Sequence, residues 1–422
     1  MTRAVPPASS GVSSPAATMR AGVLLPVALV AAYYGAYVAV MSPPTVSMAL
    51  RVRDVVGEGQ RVSTLSTVLS VGAFAAAIAS PLLGALSDRT TLRFGKRRTW
   101  LVIGPLVGLT GLACIGLGGA VWLLALGWVL AQAGWSGTLM ATQAVLTERI
   151  EPGMRGRVSG LMGPAMPIGM VAATLLVSLL DFSPALMLLV PGLIGVAGAA
   201  LLVAVVPDAP ADKTTLPPFG PREFFSSFYV NPRRYPAYAW AFASRFLMFS
   251  GVFIILTYQT YIVSDRIGYG GDSTAGKVFQ STLLLGAGSL AASLLFGILD
   301  DRTGRLKPWL RLAAVASAAG LLVMCVDSSF GIFLAGMVLI GVAQGGYLSV
   351  DLPMVSRVLP DPEHAAQELG VYNLALVIPQ MLIPLYGSLI VGADDNYPPL
   401  FVVGAVCSAL AIAALAGVRG VR

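Results

Sequence analysis

The chain has 422 residues, of which 56% are hydrophobic and only 11% charged, with a formal net charge of +7 and a mean hydropathy of +0.80. Soluble domains carry about a quarter charged residues, so this composition excludes a protein that covers itself with polar side chains in water. Lipid is the solvent that most of these side chains require.

Residues 1–21 contain Pro6, Pro7, Ser9, Ser10, Ser13, Ser14 and Pro15, and this composition predicts a disordered N-terminus. A bilayer core about 30 Å thick needs about 20 apolar residues of helix. Apolar runs of that length fall at 22–49, 63–87, 100–118, 121–147, 157–180, 184–206, 237–263, 277–299, 308–326, 330–356, 366–391 and 398–417. They predict an all-α membrane protein with twelve transmembrane helices. The first run is too long for a signal-peptide core and is expected to be retained. Cys114, Cys325 and Cys407 each fall inside an apolar run and read as small buried hydrophobes.

Placing the N-terminus in the cytoplasm puts 21 of the 27 Lys and Arg residues inside and 5 outside, with Arg245 within a helix. The positive-inside rule therefore predicts cytoplasmic termini in the plasma membrane, and the net charge needs no nucleic-acid partner. The polar segment 207–236 divides the chain into bundles at 22–206 and 237–418, leaving 419–422 as a cytoplasmic tail. Phe224, Phe225, Phe228 and Tyr229 beside arginines in that segment point to a short interfacial helix, or to a linker with aromatic anchors.

The halves echo each other. GALSDRTTLRFGKRRTW, Gly84 to Trp100, returns shortened as GILDDRTGRLKPW, Gly297 to Trp309. GWVLAQAGWSGTLMATQAVLTERIEP resembles GMVLIGVAQGGYLSVDLPMVSRVLPDP at an offset near 209 residues. Two matches in the same order indicate a duplicated six-helix unit.

With this loop motif, the six-plus-six arrangement resembles the major facilitator superfamily. SDRTTLRFGKRRTW is similar to the loop of glycoside-pentoside-hexuronide:cation symporters and sucrose-type carriers, and also resembles uncharacterised actinobacterial carriers. The resemblance implies two pseudo-symmetric bundles around a central cavity lined by spans 1, 4, 7 and 10. It also implies that span 2 abuts span 11 near the cytoplasm. The gate motif then comprises Gly84, Asp88, Arg89, Gly95 and Arg97, with Gly297, Asp301, Arg302 and Gly304 as its second copy. Asp88 would face the helix start at Asp361, and Asp301 the one at Glu151, when the cytoplasmic side is shut. Gly84 and Gly297 would allow close helix approach. Arg93, Lys96, Arg97 and Arg98 read by themselves as topology and headgroup contact.

Two ionisable residues sit well within the spans, Arg245 on span 7 and Asp351 on span 10. Each costs at least about 2.5 to 3.5 kcal/mol at mid-bilayer unless partnered. An ion pair between them is expected, either opened by a proton or solute to couple transport, or permanent and structural. Tyr33, Tyr34, Gln132, Gln143, Tyr258, Gln259, Gln344 and Tyr347 are candidate cavity residues for an organic solute.

No P-loop, HExxH, GxSxG or metal-ligand spacing occurs, and the single His364 lies in a cytoplasmic loop. The sequence therefore predicts a secondary active transporter, a monomer without cofactor, driven by a transmembrane ion gradient, expected to be H⁺. Efflux of a drug-like or metabolite solute is the leading expectation. Cation-coupled sugar or glycoside uptake is the alternative, and a membrane-embedded enzyme is the remote one.

Overall fold

The computed structural model describes residues 15–208, 232–271, 273–358, 365–392 and 395–418. Among the described residues, twelve helices are long and apolar enough to cross a membrane. Spans 1 to 6 run Leu24–Val56, Arg61–Ala79, Lys96–Leu117, Val121–Arg149, Gly153–Leu180 and Leu186–Val205. Spans 7 to 12 run Pro236–Arg266, Ser273–Asp300, Leu306–Val326, Phe330–Ser356, Val371–Val391 and Pro398–Gly417. An even number of crossings leaves Pro15 and Val418 at the same end, together with the basic loop 89–95.

The first helix starts at Pro15 rather than near residue 22. Proline suits a first helical position, and Ala16, Ala17 and Met19 after it are good helix formers, which outweighs the serine-rich composition before them. The aromatic stretch 222–229 lies outside the described residues.

Small residues set the packing within each half. A Cβ on Gly134 of span 4 would stand 2.3 Å from the backbone nitrogen of Gly108 on span 3. In the second half, a Cβ on Gly345 of span 10 would stand 1.9 Å from the carbonyl oxygen of Ser289 on span 8. At both places one backbone lies directly on another, and only glycine fits.

Spans 1 and 7 each pass through a π-helical turn at the end away from the basic loops, Pro43–Ser47 and Ile262–Arg266. Pro43 and Pro44 have no N–H to offer the preceding turn, which accounts for the first widening. The second has no proline to explain it. Between the halves, span 2 packs on span 11, span 5 on span 8, and the Pro43–Ser47 turn on span 7.

Candidate functional site

A cavity lies between the halves. Val40, Met41, Pro44 and Thr45 line it from span 1, Trp128 and Gln132 from span 4, and Met166 and Met170 from span 5. Phe253, Leu256 and Thr257 come from span 7, and Gln380 and Pro384 from span 11. None of its lining side chains is charged. Methionines adapt to irregular shapes, aromatic faces stack, and the two carboxamides supply orientation.

Of the eight residues expected in the cavity, Gln132 lines it. Tyr33 and Gln143 meet toward the basic end, where Gln143 Nε2 donates to Tyr33 Oη at 2.9 Å, and Tyr34 Oη donates to the Leu161 carbonyl at 2.9 Å. Tyr258 and Gln259 are instead fully buried in contacts between the halves: Tyr258 Oη lies 2.9 Å from Ser66 Oγ, and Gln259 Nε2 donates to the Thr45 carbonyl at 3.2 Å. Tyr347 is buried 3.0 Å from Ser244 Oγ, and Gln344 is 2% exposed; neither lines the cavity. Helical position alone did not separate cavity-facing residues from those turned toward neighbouring helices. The methionines carried no polar signal that would have singled them out, and Gln380 lies on span 11, outside the four spans expected to line the cavity.

Arg245 and Asp351 stand together. Arg245 Nη1 lies 2.8 Å from Asp351 Oδ2, and both residues are buried. Tyr372 Oη donates to Asp351 Oδ1, while Arg245 Nη2 donates to Asn373 Oδ1 at 3.4 Å. The guanidinium lies 4.7 Å from the Tyr372 ring centroid and 6.0 Å from that of Phe249. Phe249 in turn lies 6.1 Å from Phe253, a wall of the cavity. Among the described residues, the partners of this pair all belong to the second half, so relative motion of the halves leaves these contacts intact.

The repeated loop builds a separate network. Gly95 has φ +112° and Gly304 has φ +62°, conformations that favour glycine. Trp100 Nε1 donates to Thr90 Oγ1 at 2.8 Å, and Trp309 Nε1 to Thr303 Oγ1 at 3.2 Å, so the shortened copy keeps the same bond. Arg97 is 5% exposed and is not a headgroup contact. Its Nη2 donates to Glu148 Oε1 at 2.6 Å and its Nη1 to Ser87 Oγ at 2.8 Å, and Lys96 Nζ joins Glu148 at 3.0 Å.

Asp208, just past span 6, accepts from the backbone nitrogens of Arg97 and Arg98 at 2.6 and 2.8 Å. A carboxylate is thereby held at the positive start of span 3. A Cβ on Gly95 would stand 2.3 Å from its Oδ2, so glycine there makes room for the cap.

The surroundings of Gly84 and the side chains of Asp88 and Asp301 lie outside what is described, as do Asp361 and His364. Arg89 follows the end of the span 2 helix, and Arg302 is exposed. The expected close approach at Gly297 is not made, because a Cβ there would meet nothing within 4 Å. The same is true at Gly153, Gly156 and Gly160 of the facing span 5. At their basic ends spans 5 and 8 stand apart, which removes the contact that the glycine was expected to serve.

A family model described as Major Facilitator Superfamily matches residues 21–294 and 281–421. The chain belongs to the major facilitator superfamily. Its backbone is similar to the crystal structure of the nucleoside transporter NupG, with TM-score 0.73 and 14% identity over 94% of this chain and 100% of that one. It is also similar to a bacterial homolog of the human lysosomal transporter Spinster in an inward-facing, unoccupied conformation. That likeness has TM-score 0.69 and 15% identity over 96% of this chain and 95% of the other. Among curated protein sequences, none matches. As a superfamily member the chain is a transporter rather than an enzyme, and its cavity lies between two halves, as transport through that fold requires.

Proposed function

We propose that this transporter moves a small, uncharged or weakly amphipathic organic solute across the plasma membrane by alternating access, coupled to protons and working as efflux. Both termini then face the cytoplasm, as the distribution of basic residues favours. The observation that carries the reading is the Arg245–Asp351 pair, buried within one half and joined by Phe249 to Phe253 at the cavity wall. Protonating Asp351 removes the charge that neutralises Arg245, and a buried guanidinium without its counter-ion forces local repacking. Repacking around Arg245 then reaches the cavity wall through the neighbouring Phe249 and Phe253 rings.

The lining favours efflux of apolar-bodied molecules over uptake of a polyol. Met41, Met166, Met170, Trp128, Phe253 and Leu256 match few hydroxyls, whereas Gln132 and Gln380 give a flat solute two polar ends to meet. Sugar or glycoside uptake is the second reading, supported by the likeness of the loop at Asp88 to that of cation symporters.

Retention of labelled drugs, nucleosides and sugars in cells with and without the protein, with a proton uncoupler as control, tests direction and class. Lower retention of an aromatic solute, reversed by the uncoupler, is the expected result, and accumulation of a sugar would replace efflux with uptake. With the solute in hand, Asp351→Asn is expected to keep counterflow and lose uphill transport; intact uphill transport would make the pair structural.

A further inference from the structure

The end of the bundle opposite the basic loops is closed, and one guanidinium of the first half grips three side chains of the second. Arg61 begins span 2 with its side chain 10% exposed. Its Nη2 lies 3.0 Å from Asp265 Oδ2 and 2.8 Å from Asp395 Oδ2. Its Cζ stands 5.5 Å from the Tyr261 ring centroid, and Glu58 pairs with Nη1 at the exposed rim. Asp265 is fixed in turn by Ser264 Oγ at 2.5 Å and Tyr397 Oη at 2.9 Å. Burial pushes the Tyr397 phenol above its usual range, so it stays protonated as a donor.

Beneath this clasp the Pro43–Ser47 turn meets span 7. The Thr45 carbonyl accepts from Gln259 Nε2 at 3.2 Å and Thr260 Oγ1 at 3.1 Å, and the Ala49 carbonyl accepts from Tyr261 Oη at 3.1 Å. Tyr258 Oη donates to the Pro384 carbonyl at 2.9 Å. Thr45 and Pro384 also line the cavity. The floor of the cavity and the closed end of the molecule are therefore made by the same residues.

We propose that Arg61 is the positioning residue that locks this end, and that its release from Asp265 and Asp395 opens the cavity there. The other contacts in the seal are neutral hydrogen bonds, which exchange with water at little net cost. The clasp differs because it holds charges of opposite sign across the joint, with Arg61 and Asp265 at low exposure. Separating it requires each charge to be rehydrated, and removing the cation leaves two carboxylates facing each other.

The test uses the full chain with Cys114, Cys325 and Cys407 changed to alanine and Met166→Cys in the cavity wall as the reporter thiol. Labelling by a membrane-impermeant maleimide is timed in intact cells and in inside-out vesicles, which identifies the slow face of the parent. The face that carries Arg61 is expected to be the slow one, and Arg61→Gln to raise the rate there about tenfold and lower it at the other. Asp395→Asn, which keeps Asp265 paired, should shift both rates in the same directions by less. A purely structural role would reduce yield and monodispersity in detergent but leave the ratio of the two rates unchanged. That unchanged ratio in folded Asp395→Asn and Arg61→Gln protein would overturn the proposal.

Discussion

Arg97 Nη2 lies 2.6 Å from Glu148 Oε1, so the start of span 3 is fastened to the end of span 4 within its own half. Charge-assisted hydrogen bonds of this kind contribute about 1.5 to 3 kcal/mol. Arg97→Ala is expected to lower the thermal stability of the detergent-purified protein by that order, with Arg97→Lys recovering only part of it because an ammonium cannot serve Glu148 and Ser87 as a planar fork does. Thermal inactivation followed by size-exclusion chromatography reads the difference, and equal stability of all three proteins would contradict it.

The Arg245–Asp351 pair predicts a non-additive double substitution. Arg245→Gln alone leaves a buried carboxylate without its cation and is expected to cost about 3 to 5 kcal/mol. Arg245→Gln with Asp351→Asn removes both charges and should be more stable than that single variant. Melting temperatures of the two single variants and the double variant complete the cycle.

Glycine substitutions separate close approach from open space. Gly345→Ala forces a methyl onto the Ser289 carbonyl and should destabilise by about 1 to 3 kcal/mol. At Gly331 a Cβ would meet nothing within 4 Å, so Gly331→Ala should leave the melting temperature unchanged or slightly raised. Reversal of that order would show that the contact of spans 8 and 10 is not as described.

The three cysteines are unpaired and half-buried. Replacing all three by alanine should preserve folding and transport, because each acts as a small apolar side chain. Reductant should have no effect on the parent protein. Loss of transport on reduction would require a disulfide that the structure does not contain.

The spans were legible because hydrocarbon imposes length and apolarity on every crossing segment, a constraint written residue by residue. Arg245 and Asp351 were legible because a charge within an apolar run needs a partner, and few partners were available at that depth. Tyr372 and Asn373, which complete the site, were not, because tyrosine and asparagine in a membrane helix need no special explanation.

Asp208 had no signal as the cap of span 3, since its role depends on where the end of span 6 returns, more than a hundred residues after the helix start that it caps. Arg61 looked like one of five basic residues on the sparse side, and only the approach of Asp265 and Asp395 gives it a partner. Composition, periodicity and repetition thus determined the membrane, the twelve helices and the two halves, because those follow from the solvent and from duplication. Which face each polar side chain presents, which end of the cavity is shut and which charges meet there were decided by helix rotation and packing. Those depend on contacts between distant segments, and no local pattern encodes them.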